Sequence, residues 1–249
     1  MDILHVSLWT IGCAICGGIL AVLCLRLLNR IPARWLCDYG QEPDEELLGK
    51  NRFRKNPHGI VLAVSMILAF ILCFLQYGAT VTFFCVCAES ALLILIALCD
   101  AKYGIIPDQF TFLLLVPSIL SAYYDLFLGG KVFHTHILLP LLGAVCGGAV
   151  MLLLSLLGKI FYKKEALGFG DVKLYAVLGF FVGPMQILIV FLMTVLLAGL
   201  HFSYLILRKR IEGSRYLPFG PYICAAFLLF LAFYHQIQAG EAWYFSLFH

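Results

Sequence analysis

The sequence predicts an all-α polytopic membrane protein of about eight transmembrane helices with a short cytoplasmic first loop. Three observations carry this. Of 249 residues, 63% are hydrophobic and only 12% charged, and the mean hydropathy of +0.98 lies far outside the range of soluble domains. Apolar windows of about 20 residues, each able to cross roughly 30 Å of hydrocarbon, recur from one end to the other. They leave no room for a separate soluble domain, so residues 1–249 read as one membrane domain. If the runs alternate across the bilayer, 16 of the 17 Lys and Arg residues fall on one side and Lys131 alone lies opposite. The positive-inside rule makes that side the cytoplasm, with both termini outside.

The first span covers about residues 5–28, where Gly17-Gly18 lets a neighbouring helix approach closely. No basic segment precedes it and it outruns a signal-peptide core, so a cleavable signal is not expected. In residues 29–57, Arg30, Arg34, Lys50, Arg52, Arg54 and Lys55 stand against Asp38, Glu42, Asp44, Glu45 and Glu46. This is a mixed-charge loop, not an arm for nucleic acid. Spans at about 58–76 and 80–99 are joined through Tyr77-Gly78, a tight hairpin. Glu89 lies near the middle of the second, where a bare charge is costly, so it is protonated, paired within the bundle, or both.

The fourth span, about 107–129, closes with Tyr123, Tyr124 and Asp125 suited to the outer interface. The fifth, 137–157, carries Gly143-x-x-x-Gly147 as a packing face. A helix over 172–182 ends at Gly183-Pro184, and its eleven residues rise only about 16 Å. Either it starts before Asp171, or the residues at its start are sunk in the membrane face. Spans at about 185–207 and 219–234 complete the eight. Most of the ten cysteines lie inside apolar runs as small hydrophobes. Cys13-x-x-Cys16 lacks the second pair and the polar setting of a zinc site, so no metal is expected.

Two acidic residues mark where apolar helices meet the cytoplasmic side. Asp100 closes the third span in Cys99-Asp100-Ala101-Lys102-Tyr103-Gly104-Ile105-Ile106-Pro107-Asp108. Asp171 opens the sixth helix in Glu165-Ala166-Leu167-Gly168-Phe169-Gly170-Asp171-Val172-Lys173. An ionisable group at the edge of hydrocarbon is a functional candidate. Gly168 and Gly170, lacking Cβ, permit positive φ and the close approach of an extended peptide. The plainer alternative is a helix start whose macrodipole favours Asp171. With alternation, both aspartates share a side and a depth, and packing can bring them together. Two carboxyls within a few Å share a proton, one acting as general base on water and the other as general acid, so the pair hydrolyses amides without metal or covalent intermediate. Lys102 and Lys173, each two residues past its Asp, read first as positive-inside anchors. Pro107 disfavours helix at Ile106 and leaves Asp108 to cap the fourth helix.

Asp100 with Ile106-Pro107-Asp108, then Gly168-Phe169-Gly170-Asp171-Val172-Lys173-Leu174, then Leu217-Pro218-Phe219-Gly220-Pro221 resemble the signature blocks of the type IV prepilin leader peptidases, which are Gly-x-Gly-Asp intramembrane aspartyl proteases. Each block alone is weak. Their order, spacing and shared side make the combination specific, and the resemblance covers nearly the whole chain after residue 58. It implies a bacterial plasma-membrane aspartic endopeptidase with Asp100 and Asp171 as catalytic pair. Gly168, Gly170, Pro107, Asp108, Glu165, Lys173, Pro218, Gly220 and Pro221 match supporting motif positions. The implied substrates are prepilins or pseudopilins of type IV pilus and secretion systems, single-span precursors whose basic leader ends in Gly before an apolar helix. Cleavage would fall at the cytoplasmic interface while that helix stays in the lipid bilayer. The acidic residues of the first loop could attract such a leader, but a solvated charged loop is the simpler explanation of them.

Longer members of that family carry two CxxC pairs in the first loop and are associated with methylation of the new amino terminus by S-adenosylmethionine. Residues 29–57 hold only Cys37, with Arg30-Ile31-Pro32 resembling a remnant of the loop entrance. The expectation is cleavage without a cofactor and without methyl transfer; S-adenosylmethionine enters only if that activity is retained. Nothing in the sequence sets an oligomeric state. Other classes fit less well. A proton-coupled transporter using Glu89, Asp100, Asp108 and Asp171 predicts internal repeats, and the halves show no convincing correspondence. A metal-dependent lipid-modifying transferase needs more crowded acidic ligands, and a scaffold leaves the interfacial aspartates without a purpose.

Overall fold

The computed structural model describes residues 3–37, 42–43, 45–49, 52–162, 168–208 and 218–246. Among them ten α-helices run in order: α1 (Ile3–Leu28), the single turn α2 (Glu45–Leu48), α3 (Ile60–Tyr77), α4 (Val81–Tyr103), α5 (Asp108–Phe127), α6 (Leu139–Tyr162), α7 (Phe169–Val182), α8 (Pro184–Leu207), α9 (Gly220–Ala232) and α10 (Tyr234–Ser246). Six of these, α1, α3, α4, α5, α6 and α8, are long and apolar enough to cross a bilayer. The pair α9 and α10, bent by 78°, makes a seventh if counted as one broken span. The protein is an all-helical multi-pass membrane protein, although a count of eight is not reached on length and composition. The reason is α7 and α9, with 14 and 13 residues, which rise only about 21 and 20 Å.

Local chemistry sets the boundaries that matter to the site. Thr80 caps α4 by accepting the Phe83 N–H at 3.3 Å. The same helix stops at Gly104, whose left-handed φ of 69° suits a residue without Cβ and whose N–H closes on the Asp100 carbonyl at 2.8 Å. Pro107 then starts α5. Gly183, with φ of 91°, separates α7 from α8, and Pro184 occupies the first turn of α8.

The two short helices form the centre of the bundle. Tyr175, Leu178 and Phe181 of α7 and Phe227 and Phe230 of α9 are fully buried. Among the long helices α4 is also largely buried, whereas others present apolar stripes outward, such as Leu8, Ile11, Ile15, Ile19 and Val22 on α1, at the spacing of one helix face. Gly143 and Gly147 of α6 meet α7 directly, at the Gly179 and Tyr175 carbonyls, so the expected packing face is used at a backbone-to-backbone crossing. Four residues forward on α6 match four back on α7, hence the two run antiparallel. Continuing that register sets buried Met151 opposite Asp171, and α6 then runs on for 11 residues to Tyr162, about 16 Å farther. Of the two possibilities the sequence left for the short helix, the start before Asp171 is observed, since α7 begins at Phe169.

Two expectations need correction. Asp125 does not face the outer interface. It is buried and accepts the backbone N–H groups of Val132, Phe133 and His134 at 3.1, 2.8 and 3.0 Å, folding the α5–α6 connection over itself. The first loop is not simply a solvated charged segment: Asn29 and Phe53 exchange two hydrogen bonds of 2.9 and 3.0 Å, Arg52 donates to the Ile31 carbonyl at 2.8 Å, and Leu36 and Phe53 are buried. Glu89 is fully buried, and among the described residues neither carboxyl oxygen has a hydrogen-bond partner. This agrees with one of the alternatives that the sequence left open for Glu89, an uncharged acid without a partner among the described residues.

Candidate active site

Asp100 sits one turn before the end of α4, 3% exposed, and its Oδ2 accepts the N–H of Gly220 at 2.9 Å. That N–H belongs to the first turn of α9, where helical donors have no partner of their own. Pro221 follows in the same turn and gives up no needed donor, with Pro218 two residues ahead of Gly220. A Cβ on Gly220 would lie 2.5 Å from Asp100 Oδ2, so the backbone of α9 can reach the carboxyl only because this residue is glycine. The block that ends in Gly220-Pro221 thus grips Asp100.

Asp171 is the third residue of α7, 4% exposed. Its Oδ2 accepts the Gly168 N–H at 3.2 Å, and its own N–H donates to the Gly168 carbonyl at 3.1 Å, so the carboxyl caps the helix that carries it. Neither Gly168 nor Gly170 has positive φ, contrary to expectation: Gly168 is extended at φ of −70° and Gly170 is helical. Close approach is what Gly170 provides. A Cβ there would come within 3.2 Å of Ile106, in the turn that follows Asp100. The left-handed glycine of the site is Gly104, which sequence reasoning quoted but did not single out.

Both carboxyls open on one cleft of about 900 Å³, and they lie within electrostatic reach of each other. Among the described residues neither Oδ1 takes a hydrogen bond, which leaves each carboxyl one oxygen for water or a peptide. Such a pair can share one proton and act on an amide from two sides. Asp108 and Lys173 line the same cleft. Asp108 does not cap α5, as had been expected; both its oxygens accept from Lys173 Nζ, at 2.9 and 2.8 Å. Lys173 is therefore tied into the site rather than serving only as an anchor, while Lys102 turns aside to the Arg52 carbonyl and the Tyr103 hydroxyl. Glu165 lies outside the described residues.

One wall was missed altogether. Pro32, Ala33, Arg34 and Trp35 of the first loop border the cleft, with Trp35 edge-on to Phe110 at 6.4 Å between ring centres. The signal available was Arg30-Ile31-Pro32, noticed only as the entrance to a loop. Among the described residues no cluster of three or more His, Cys, Asp or Glu side chains has the geometry to hold a metal.

A sequence model of the type IV leader peptidase family matches residues 87–203, a stretch that includes Asp100, Asp108 and the whole Gly168–Lys173 block. Leader peptidase HopD of Salmonella typhimurium is 34% identical over 140 residues, which cover 53% of this chain and 82% of HopD. The chain belongs to the type IV leader peptidase family. A second HopD leader peptidase, from Escherichia coli, is 33% identical over 55% of the chain and 84% of its own length. The prepilin leader peptidase/N-methyltransferases of Xanthomonas campestris pv. campestris and Aeromonas salmonicida are 28% and 34% identical over 72% and 54% of the chain. This chain spans only 61% and 44% of those two relatives. No solved structure matches.

Proposed function

We propose that this member of the leader peptidase family is a membrane-embedded aspartic endopeptidase that removes the basic leader from type IV prepilin or pseudopilin precursors at the cytoplasmic face of the bacterial plasma membrane. The observation that carries the reading is the pair Asp100 and Asp171, each buried, each held through Oδ2 by one backbone N–H, and both lining the same cleft. One carboxylate takes a proton from water as the water oxygen attacks the scissile carbonyl carbon. The other, protonated, stabilises the oxygen that gathers charge, and a proton passes to the leaving nitrogen as the C–N bond breaks. No covalent enzyme intermediate forms.

The start of α7 lies about 16 Å short of the end of α6 along the bundle, an offset that suits a substrate that is itself a membrane helix cut where its leader ends. Positive-inside charge assigns this face to the cytoplasm, and residues 29–57 then lie there as part of one membrane peptidase domain. Two relatives carry names that join leader peptidase with N-methyltransferase. With Cys37 the only cysteine in residues 29–57, we assign cleavage without methyl transfer, hence without S-adenosylmethionine. The test is to incubate the purified protein with a membrane-embedded prepilin and read the product's amino terminus by mass spectrometry. Cleavage on the carboxyl side of the leader's last glycine is expected, and an unprocessed precursor would refute the assignment.

A further inference from the structure

The two site carboxyls are not bonded to each other among the described residues. Asp100 is held by Gly220 and Asp171 by Gly168, so their separation is set by how the end of α4 and the start of α7 are fixed in space. Two of the contacts that cross between those elements lie beside the carboxyls. One is Ile106, in the turn leaving α4, packed where a Gly170 Cβ would stand. The other is Asp108, first residue of α5, whose two oxygens receive Lys173 Nζ from the first turns of α7 at 2.9 and 2.8 Å. The side chains are 28% and 22% exposed, which separates this pair from fully solvated surface bridges that contribute little and from dry ones whose desolvation cancels their attraction.

Resting on the peptidase reading above, we propose that the Asp108–Lys173 pair is the positioning element of the site. It clasps the α4–α5 turn to α7, fixes the Asp100–Asp171 spacing, and cancels the charge of the cation nearest Asp171 in sequence. Other polar groups around the dyad do not substitute for it. Lys102 is turned to Arg52 and Tyr103, and Tyr175 is bonded to Thr194 at 2.8 Å. Cys224 of α9 is fully buried, and Arg34 and Glu42 are exposed on the first-loop wall.

The test uses the full chain in liposomes with a membrane-embedded precursor whose basic leader ends in glycine. Asp108→Asn and Lys173→Gln should each lower kcat roughly 10²-fold, the scale of loss from about 1 Å of misplacement, with KM changed by less than about threefold. Their pH–rate profiles should move in opposite directions by about one unit. With Asp108 neutralised, the Lys173 charge favours ionised neighbours and moves the profile to lower pH, whereas with Lys173 neutralised the Asp108 charge moves it higher. The exchanged double variant Asp108→Lys with Lys173→Asp should return both the profile and kcat to within about tenfold of wild type. Single variants at wild-type rates, profiles moving the same way, or a folded exchange variant no better than the singles would overturn the proposal. If size-exclusion chromatography shows the exchange variant unfolded, Asp108→Glu with Lys173→Arg decides: a retained profile supports the clasp and a lost one overturns it. A wild-type protein that leaves the precursor intact would overturn the peptidase reading and the clasp with it.

Discussion

Gly220→Ala adds one methyl group and removes nothing, which makes it a sharp test of how Asp100 is held. The backbone N–H that binds the Asp100 carboxyl survives. The new Cβ, however, would lie 2.5 Å from Oδ2 and 3.0 Å from Cγ, where ordinary contact begins at 3.4 Å. The carboxyl or the start of α9 must shift by about 1 Å, and misplacement on that scale costs roughly 10²-fold in rate, or about 2.7 kcal/mol of transition-state stabilisation. The assay is initial cleavage of a membrane-embedded prepilin at several concentrations, with thermal unfolding of the variant alongside. The expected result is a fall in kcat with a folded protein. Wild-type kcat/KM in a folded Gly220→Ala variant would show that the Asp100–Gly220 contact does not position a working group.

The pH–rate profile should be bell-shaped: activity falls at low pH as the base carboxylate is protonated and at high pH as the acid loses its proton. A profile flat between about pH 4 and 9 would contradict a shared-proton pair. Thiols introduced at Lys50 and Lys131 should be labelled from opposite sides of the membrane, and labelling from one side would break the assigned topology. Cleavage should persist in a chelator and yield an unmethylated amino terminus; a chelator that abolishes cleavage, or a stoichiometric methyl group on the product, would count against the assignment.

Much of the site was legible because its chemistry is written in side chains at fixed spacing. Asp100 and Asp171 were visible as carboxyls at the edges of apolar runs, and the shortness of α7 followed from Gly183-Pro184. What escaped was whatever depends on backbone groups from distant segments. The grip of Gly220 on Asp100 and the contacts of Lys102 and Arg52 are made to or by main-chain atoms, which no residue pattern encodes. The same holds for Asp125, whose partners are three consecutive N–H groups supplied by a loop. Asp108 was misassigned for a related reason: a carboxyl at a helix start is ordinarily a cap, and only packing of α5 on α7 brings Lys173 within reach. The glycines of the Gly-x-Gly-Asp block were read as conformationally special, yet Gly170 is needed for the space it leaves to Ile106.

The most direct test of the central claim is mass spectrometry of a membrane-embedded prepilin after incubation with wild-type protein and with Asp100→Asn and Asp171→Asn. Each substitution keeps the side chain's size and removes its ionisable proton. Wild type should release the leader, while both variants, inserted and folded, should leave the precursor at its full mass. Leader removal at the wild-type rate by either variant would contradict the two-aspartate account.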